Sequence, residues 1–216
     1  MEISASLWSA DMANFADEIR RVEPYVERYH FDVGDGVFIP TLLFFPDLVK
    51  ALRHLTKKDF DVHLMVQDPA QLIEDFAASG ANKIILHVDH VLKQPGLFNA
   101  IKSSGMKAGI ALTSDENFEM VIPYLDKVDS LQIMGTQLGI KGVDIADDIY
   151  YKIKVAKQAL HEKYSNITIE VDGGIRRHTV PLLKQAGADA VVAGSLLFKQ
   201  DEKQIHNWIK HQLPGN

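Results

Sequence analysis

Short apolar runs alternate with segments of helical spacing along the whole of this chain, and that alternation restricts the folds open to it. The apolar runs are Ile3 to Ser6, Tyr25 to Val33, Phe60 to Val66, Lys83 to Val88, Lys107 to Leu112, Ser130 to Met134, Ile167 to Asp172 and Ala190 to Ala193. Each is the length of a buried strand. Between them, Asp11 to Val22 places Met12, Phe15, Ile19 and Val22 on one helical face. Further helices are expected over Pro46 to Leu55, from Asp68-Pro69 to Gly80, Gln94 to Ser104, Asn117 to Leu125, Ile145 to Lys163, Thr179 to Gly187 and Gln200 to Gln212, with a tail from Leu213 to Asn216. Pro46 stands at a first helical position, where a missing N–H costs nothing. Gly80, Gly105 and Gly187 stand where helices stop. Strand–helix alternation of this kind specifies a parallel sheet. Eight units in 216 residues fit an α/β fold, the (β/α)8 TIM barrel, as a single domain spanning 1–216. The rival is an open doubly wound sheet, but its Gly-x-Gly-x-x-Gly after the first strand is absent.

Some function classes are disfavoured at once. The net charge of −6 provides no basic stripe for nucleic acid. Without cysteine there is no disulfide, thiolate ligand or thiol nucleophile. The N-terminus, MEISASLWSADM, has no basic segment followed by an apolar one, and no apolar run reaches membrane-spanning length. The expectation is a cytoplasmic protein with no nucleic-acid or membrane partner.

In a barrel, sites sit at the carboxyl ends of the strands. There the chain places Ser6, then His30 and Asp32, then His63 with Met65, then His87 and Asp89, then Met134, Asp172 and finally Gly194-Ser195. His30 and Asp32 alternate on one strand, so they share a face. Taken singly, a strand-end histidine is more often a hydrogen-bonded loop residue, and an aspartate before Gly-Gly a turn former. Together, two imidazoles and two carboxylates from three strands suit Zn, Mn, Fe or Co with room for substrate oxygens. His87, Asp89 and His90 form a weaker rival set, with Asp89 and His90 expected in a loop. Asp61 and Glu170 lie one step deeper, as partners that orient ligands or as solvated strand ends. Glycines follow three neighbouring strands, at Gly135 to Gly142, Gly173-Gly174 and Gly194-Ser195, where backbone N–H groups can approach an anion. Lys141, Arg176 and Arg177 can add charge, or be ordinary surface bases.

Five motifs carry a resemblance to a known family: SLWSAD (Ser6 to Asp11), HFDVGDGVFIP (His30 to Pro40), DVHLMV (Asp61 to Val66), EVDGGI (Glu170 to Ile175) and AGADAVVAGS (Ala186 to Ser195). With these the chain resembles the ribulose-phosphate 3-epimerases over almost its whole length. The resemblance implies a barrel with one divalent metal ion held by His30, Asp32, His63 and Asp172. It implies Asp32 and Asp172 as the paired acid and base, with Ser6, His63, Met65 and Met134 around the substrate. Phosphate-binding positions match Gly139, Ile140, Lys141, Gly142, Gly173, Gly174, Gly194 and Ser195. The implied reaction inverts C3 of a phosphorylated ketose, D-ribulose 5-phosphate to D-xylulose 5-phosphate, in a homo-oligomer.

The chain departs from the family pattern at particular places. Gly34 stands for a usual methionine and Val37 for a histidine, and the loop Gln137 to Val143 differs from Asn-Pro-Gly-Phe-Gly-Gly-Gln. Gly34 is expected to leave space, so D-allulose 6-phosphate is a rival substrate. A sugar-phosphate-binding barrel without turnover is the alternative from another class. The run Leu42-Leu43-Phe44-Phe45 is expected to lie in a loop, packed under the site or at a subunit contact.

Overall fold

The structure, a computed structural model, describes residues 1–161 and 163–212; the tail expected from Leu213 lies outside the described residues. Strands β1 (Glu2–Ser6), β2 (Arg28–Asp35), β3 (Leu42–Leu43), β4 (Asp59–Met65), β5 (Lys83–His87), β6 (Lys107–Leu112), β7 (Ser130–Met134), β8 (Thr168–Asp172) and β9 (Ala190–Ala193) form one sheet. Apart from β3, every neighbouring pair is parallel, and β1 pairs with both β2 and β9, which closes the barrel. Helices α1 (Phe15–Val22), α2 (Pro46–Arg53), α3 (Ile73–Ser79), α4 (Val88–Lys93), α5 (Leu97–Ser103), α6 (Ile149–Leu160), α7 (Thr179–Ala186), α8 (Ser195–Phe198) and α9 (Glu202–Gln212) lie between and after the strands. No helix among the described residues is long and apolar enough to cross a membrane.

Alternation along β2 explains how one strand serves two layers. Tyr29, Phe31 and Val33 join the apolar layer beneath the helices, where Phe31 packs 4.7 Å from Phe60 and the Tyr29 hydroxyl donates to the Ile19 carbonyl of α1. His30 and Asp32 take the other face, toward the barrel axis.

Several element bounds differ from expectation, each for a local reason. β2 starts at Arg28 rather than Tyr25, because Pro24 sets a 3-10 turn over Glu23–Tyr25. Asn117 to Leu125 forms 3-10 turns, Phe118–Met120 and Ile122–Lys127, in place of an α-helix, with Pro123 at the start of the second. The first expected helix opens as a 3-10 turn, Met12–Asn14, and Met12 is half exposed rather than in the core. Pro95-Gly96 delays α5 to Leu97, and α6 is shorter at both ends than expected. The segment expected as one last helix starts at Glu202, after a separate short α8. Thr179 is the first residue of α7 rather than its cap, although its hydroxyl accepts the Arg176 N–H. Gly80 and Gly187 do end α3 and α7, at φ of 90° and 110°, conformations that suit glycine.

Leu42 and Leu43, expected in a loop, pair antiparallel with Asp35 and Gly34 of β2. Phe44 turns into the core against Phe15 and Phe31, while Leu42 and Phe45 stay exposed.

At the amino-terminal end of the barrel, Asp61 and Glu170 are buried, not solvated. Lys83 Nζ lies 2.9 Å from Asp61 and 2.5 Å from Glu170, and Arg28 donates to Glu170 at 2.9 Å while also pairing with Glu2. Burial pushes the Asp61 carboxyl up against the pull of Lys83, whereas Lys83 and Arg28 together outweigh burial and hold Glu170 below the usual range.

Candidate active site and metal centre

His30 and Asp32 on β2 stand beside His63 on β4, because the parallel register sets Asp32 opposite His63. Asp172 reaches the same point from the end of β8. His30 Nε2 lies 3.4 Å from Asp32 Oδ1 and 3.7 Å from Asp172 Oδ2, and His63 Nδ1 lies 3.5 Å and 3.7 Å from the same two oxygens. One donor atom from each of the four residues falls within 4.8 Å of all the others. Ligands about 2.1 Å from an ion in tetrahedral array stand about 3.4 Å apart, so the quartet has the dimensions of a coordination shell.

The polar accounting agrees with that fit. His30 is fully buried, yet among the described residues neither of its ring nitrogens has a hydrogen-bond partner. A buried polar ring without partners is costly unless something else satisfies it. Burial would lower the His30 pKa, but Asp32 and Asp172 outweigh it and lift it to about 9. Burial, and then the charge of Asp32, raise Asp172 to about 7. Asp32 goes the other way: burial opposes its ionisation, but His30 and His63 hold it well below the usual carboxylate range. A cation in the quartet would relieve the same surplus of negative charge.

Neighbours fix the donors. Ser6 Oγ donates to Asp32 Oδ2 at 2.8 Å. His63 Nε2 faces His87 Nε2 at 2.8 Å. The Gln132 amide nitrogen lies 3.2 Å from His63 Nδ1, 3.4 Å from Met134 Sδ and 3.4 Å from Asp172 Oδ2. Gln132 was not singled out in the sequence, though it stands two positions before Met134 and hence on the same face.

The rival set of His87, Asp89 and His90 does not converge on the quartet. β5 stops at His87 and Val88 opens α4, so Asp89 and His90 are helical rather than in a loop. His90 Nε2 pairs with the Val66 carbonyl, and His87 stands behind His63.

Above the quartet opens a cavity of about 730 Å³. Asp32 and Asp172 reach its floor, and Ser6, Met65, Met134, Gly139, Ile140, Lys141, Gly142, Gly173, Gly174, Gly194 and Ser195 line it. His63 does not; it is sealed beneath the floor with His30. Trp8, Thr136 and Lys199 also line the cavity and were not foreseen. Arg176 lines it, whereas Arg177 turns away to donate to Gln200 Oε1. Lys141, Arg176 and Lys199 bring three cations to the cavity lining. Lys141 Nζ donates to the Trp8 carbonyl at 2.5 Å and lies 4.5 Å from the Trp8 ring centroid, which ties the loop after β7 to the loop after β1. Gly173 and Gly174 both have positive φ, 93° and 70°, and a Cβ on Gly174 would stand 2.8 Å from the Ile145 backbone.

Gly34 does not open the cavity. A Cβ there would meet the Thr41 carbonyl at 2.5 Å and Ile39 Cδ1 at 2.7 Å, so Ile39 already fills the space expected beside this glycine.

The chain matches the profile of the ribulose-phosphate 3 epimerase family over residues 2–198. It is 33% identical over 206 residues to a ribulose-phosphate 3-epimerase of Bacillus subtilis, covering 94% of this chain and 95% of the relative. A Synechocystis ribulose-phosphate 3-epimerase is 36% identical over 200 residues, covering 91% and 86%. One from Schizosaccharomyces pombe is 33% identical over 217 residues, covering 98% and 93%. Among solved structures, the 3-hexulose-6-phosphate synthase of Salmonella typhimurium superposes with a TM-score of 0.72 at 16% identity, covering 98% of this chain and all of that one, a likeness of fold alone.

Proposed function

The chain belongs to the ribulose-phosphate 3-epimerase family and is an isomerase; from that premise we propose that it interconverts D-ribulose 5-phosphate and D-xylulose 5-phosphate with a divalent metal ion held by His30, Asp32, His63 and Asp172. The observation that carries this reading is the convergence of Asp32 and Asp172, from β2 and β8, on one cavity floor beside His63 and an unsatisfied His30 ring.

Inverting a carbon beside a ketone requires a proton to leave one face and another to arrive on the opposite face. Two carboxylates reaching the substrate from different strands provide that, exchanging roles with the direction of reaction. Asp32, held ionised, takes the proton in one direction, and Asp172, which retains its proton more readily, delivers one. A bound divalent ion supplies polarisation of the ketone oxygen and charge stabilisation as the C3 proton leaves. Met65 and Met134 line the cavity beside the carboxylates and give the planar sugar backbone an apolar bed. The phosphate goes to Gly173, Gly174, Gly194 and Ser195, with Lys141, Arg176 and Lys199 also in the lining.

A pentulose is preferred to a hexulose because Ile39 and the Thr41 carbonyl occupy the volume next to Gly34. Purified, metal-replete protein assayed against D-ribulose 5-phosphate and D-allulose 6-phosphate should turn over the pentulose faster. It should also exchange the C3 hydrogen with solvent deuterium. Binding without exchange would replace this reading with that of a non-catalytic sugar-phosphate barrel.

A further inference from the structure

We propose that His87 is a positioning residue which, with Gln132, sets the tautomer of His63 so that its Nδ1 lone pair faces the quartet before any cation arrives. This rests on reading the quartet as a metal site.

The assignment follows from what surrounds each nitrogen. The Gln132 amide faces Met134 Sδ at 3.4 Å and Asp172 Oδ2 at 3.4 Å. A thioether sulfur carries no hydrogen and a carboxylate accepts, so the amide turns its nitrogen to them, not its oxygen. His63 Nδ1, at 3.2 Å the nearest neighbour of that nitrogen, is then an acceptor, because an amide nitrogen only donates. An imidazole that accepts at one nitrogen carries its single hydrogen on the other. His63 therefore carries its hydrogen on Nε2 and donates it to His87 Nε2, 2.8 Å away.

That leaves His87 with its own hydrogen on Nδ1, where this almost fully buried ring has no hydrogen-bond partner among the described residues. A buried N–H without an acceptor is rare in folded proteins. Here it is the counterpart of presenting an acceptor to His63. The His87 ring is kept in place by packing: the Phe38 ring lies 5.5 Å from it and the His90 ring 6.0 Å, with His90 held by the Val66 carbonyl. The Gln132 amide meanwhile donates into two of the four donor atoms of the quartet, a neutral placeholder where a cation would sit.

Two variants and one spectrum test this. His87→Phe keeps a planar ring but offers no acceptor; His87→Gln offers its amide oxygen to His63 Nε2. Loss of a group that orients a metal-bound histidine lowers affinity about 10–100-fold. Zinc affinity, measured by chelator competition, should fall by that factor in His87→Phe and return to within a few-fold of wild type in His87→Gln. In metal-free wild-type protein, nitrogen-15 spectra of the imidazoles should show His63 protonated on Nε2, and zinc should leave that tautomer unchanged. A metal-free His63 protonated on Nδ1 overturns the proposal, as does wild-type zinc affinity in His87→Phe. If His87→Phe does not fold, the wild-type spectrum still decides. Failure of wild-type protein to bind zinc, manganese, iron or cobalt would instead remove the metal reading itself.

Discussion

The Ser6 hydroxyl donates a 2.8 Å hydrogen bond to Oδ2 of Asp32, which leaves Oδ1 to face His30 and His63. The two oxygens of one carboxylate thus have separate tasks. Replacing the hydroxyl frees the carboxylate to rotate. A hydrogen bond to a charged group contributes about 1.5–3 kcal/mol. Ser6→Ala should therefore lower kcat about 10–100-fold and lower the melting temperature by several degrees. Steady-state kinetics alongside thermal melts would check this, and an unchanged kcat would show that Ser6 does not orient Asp32.

Asp172→Asn should fold, since its burial burden falls with its charge, and should lose nearly all turnover. Circular dichroism would report the fold, and C3 deuterium exchange the chemistry. Near-normal activity would sink the two-carboxylate assignment.

Metal binding should strengthen as pH rises. His30 has a folded pKa of about 9, above its ordinary value of 6.5. The stability this gives the metal-free fold is complete below pH 6.5 and lost as pH rises through 9. Asp172, raised to about 7, loses its contribution as pH rises from 3.8 through 7. A metal ion must displace both protons, which it does more easily at high pH. The melting-temperature gap between cobalt-loaded and metal-free protein should widen from pH 6 to pH 8. A constant gap across that range would contradict the proton displacement.

Lys141→Ala should weaken binding of the phosphorylated sugar more than it slows chemistry. Lys141 lines the cavity and bridges to Trp8. A lost charge-assisted contact of about 1.4 kcal/mol raises KM about tenfold. Unphosphorylated ribulose as an inhibitor gives the control: its affinity should not change between wild type and variant.

Gly34→Ala should destabilise the protein by about 1–3 kcal/mol, because a methyl group at 2.5 Å from the Thr41 carbonyl is overpacked. Urea denaturation would measure this.

Much of the barrel was legible because strand periodicity and glycine stops are local signals. Lys107–Leu112, Ser130–Met134 and Ala190–Ala193 needed no revision. What escaped depended on contacts distant in sequence. Nothing near Leu42 announces that it will pair with Asp35, and a glycine at position 34 reads as empty space until Ile39 is seen filling it. The quartet was visible because all four donors are unusual residues for strand ends. His87 and Gln132 were harder to place, since their roles exist only in relation to His63, from other strands.

The buried group of Arg28, Lys83, Asp61 and Glu170 has a consequence for which ions the site can tolerate. Two positive and two negative side chains nearly cancel, so the axis of the barrel below the quartet is close to electroneutral. Once the protons on His30 and Asp172 are displaced, Asp32 and Asp172 would carry two uncompensated negative charges above it. A doubly charged ion balances them; a monovalent ion leaves one charge over, and a trivalent ion overshoots. On the proposed metal reading, a preference for divalent ions would be built a layer below the residues that would touch the ion.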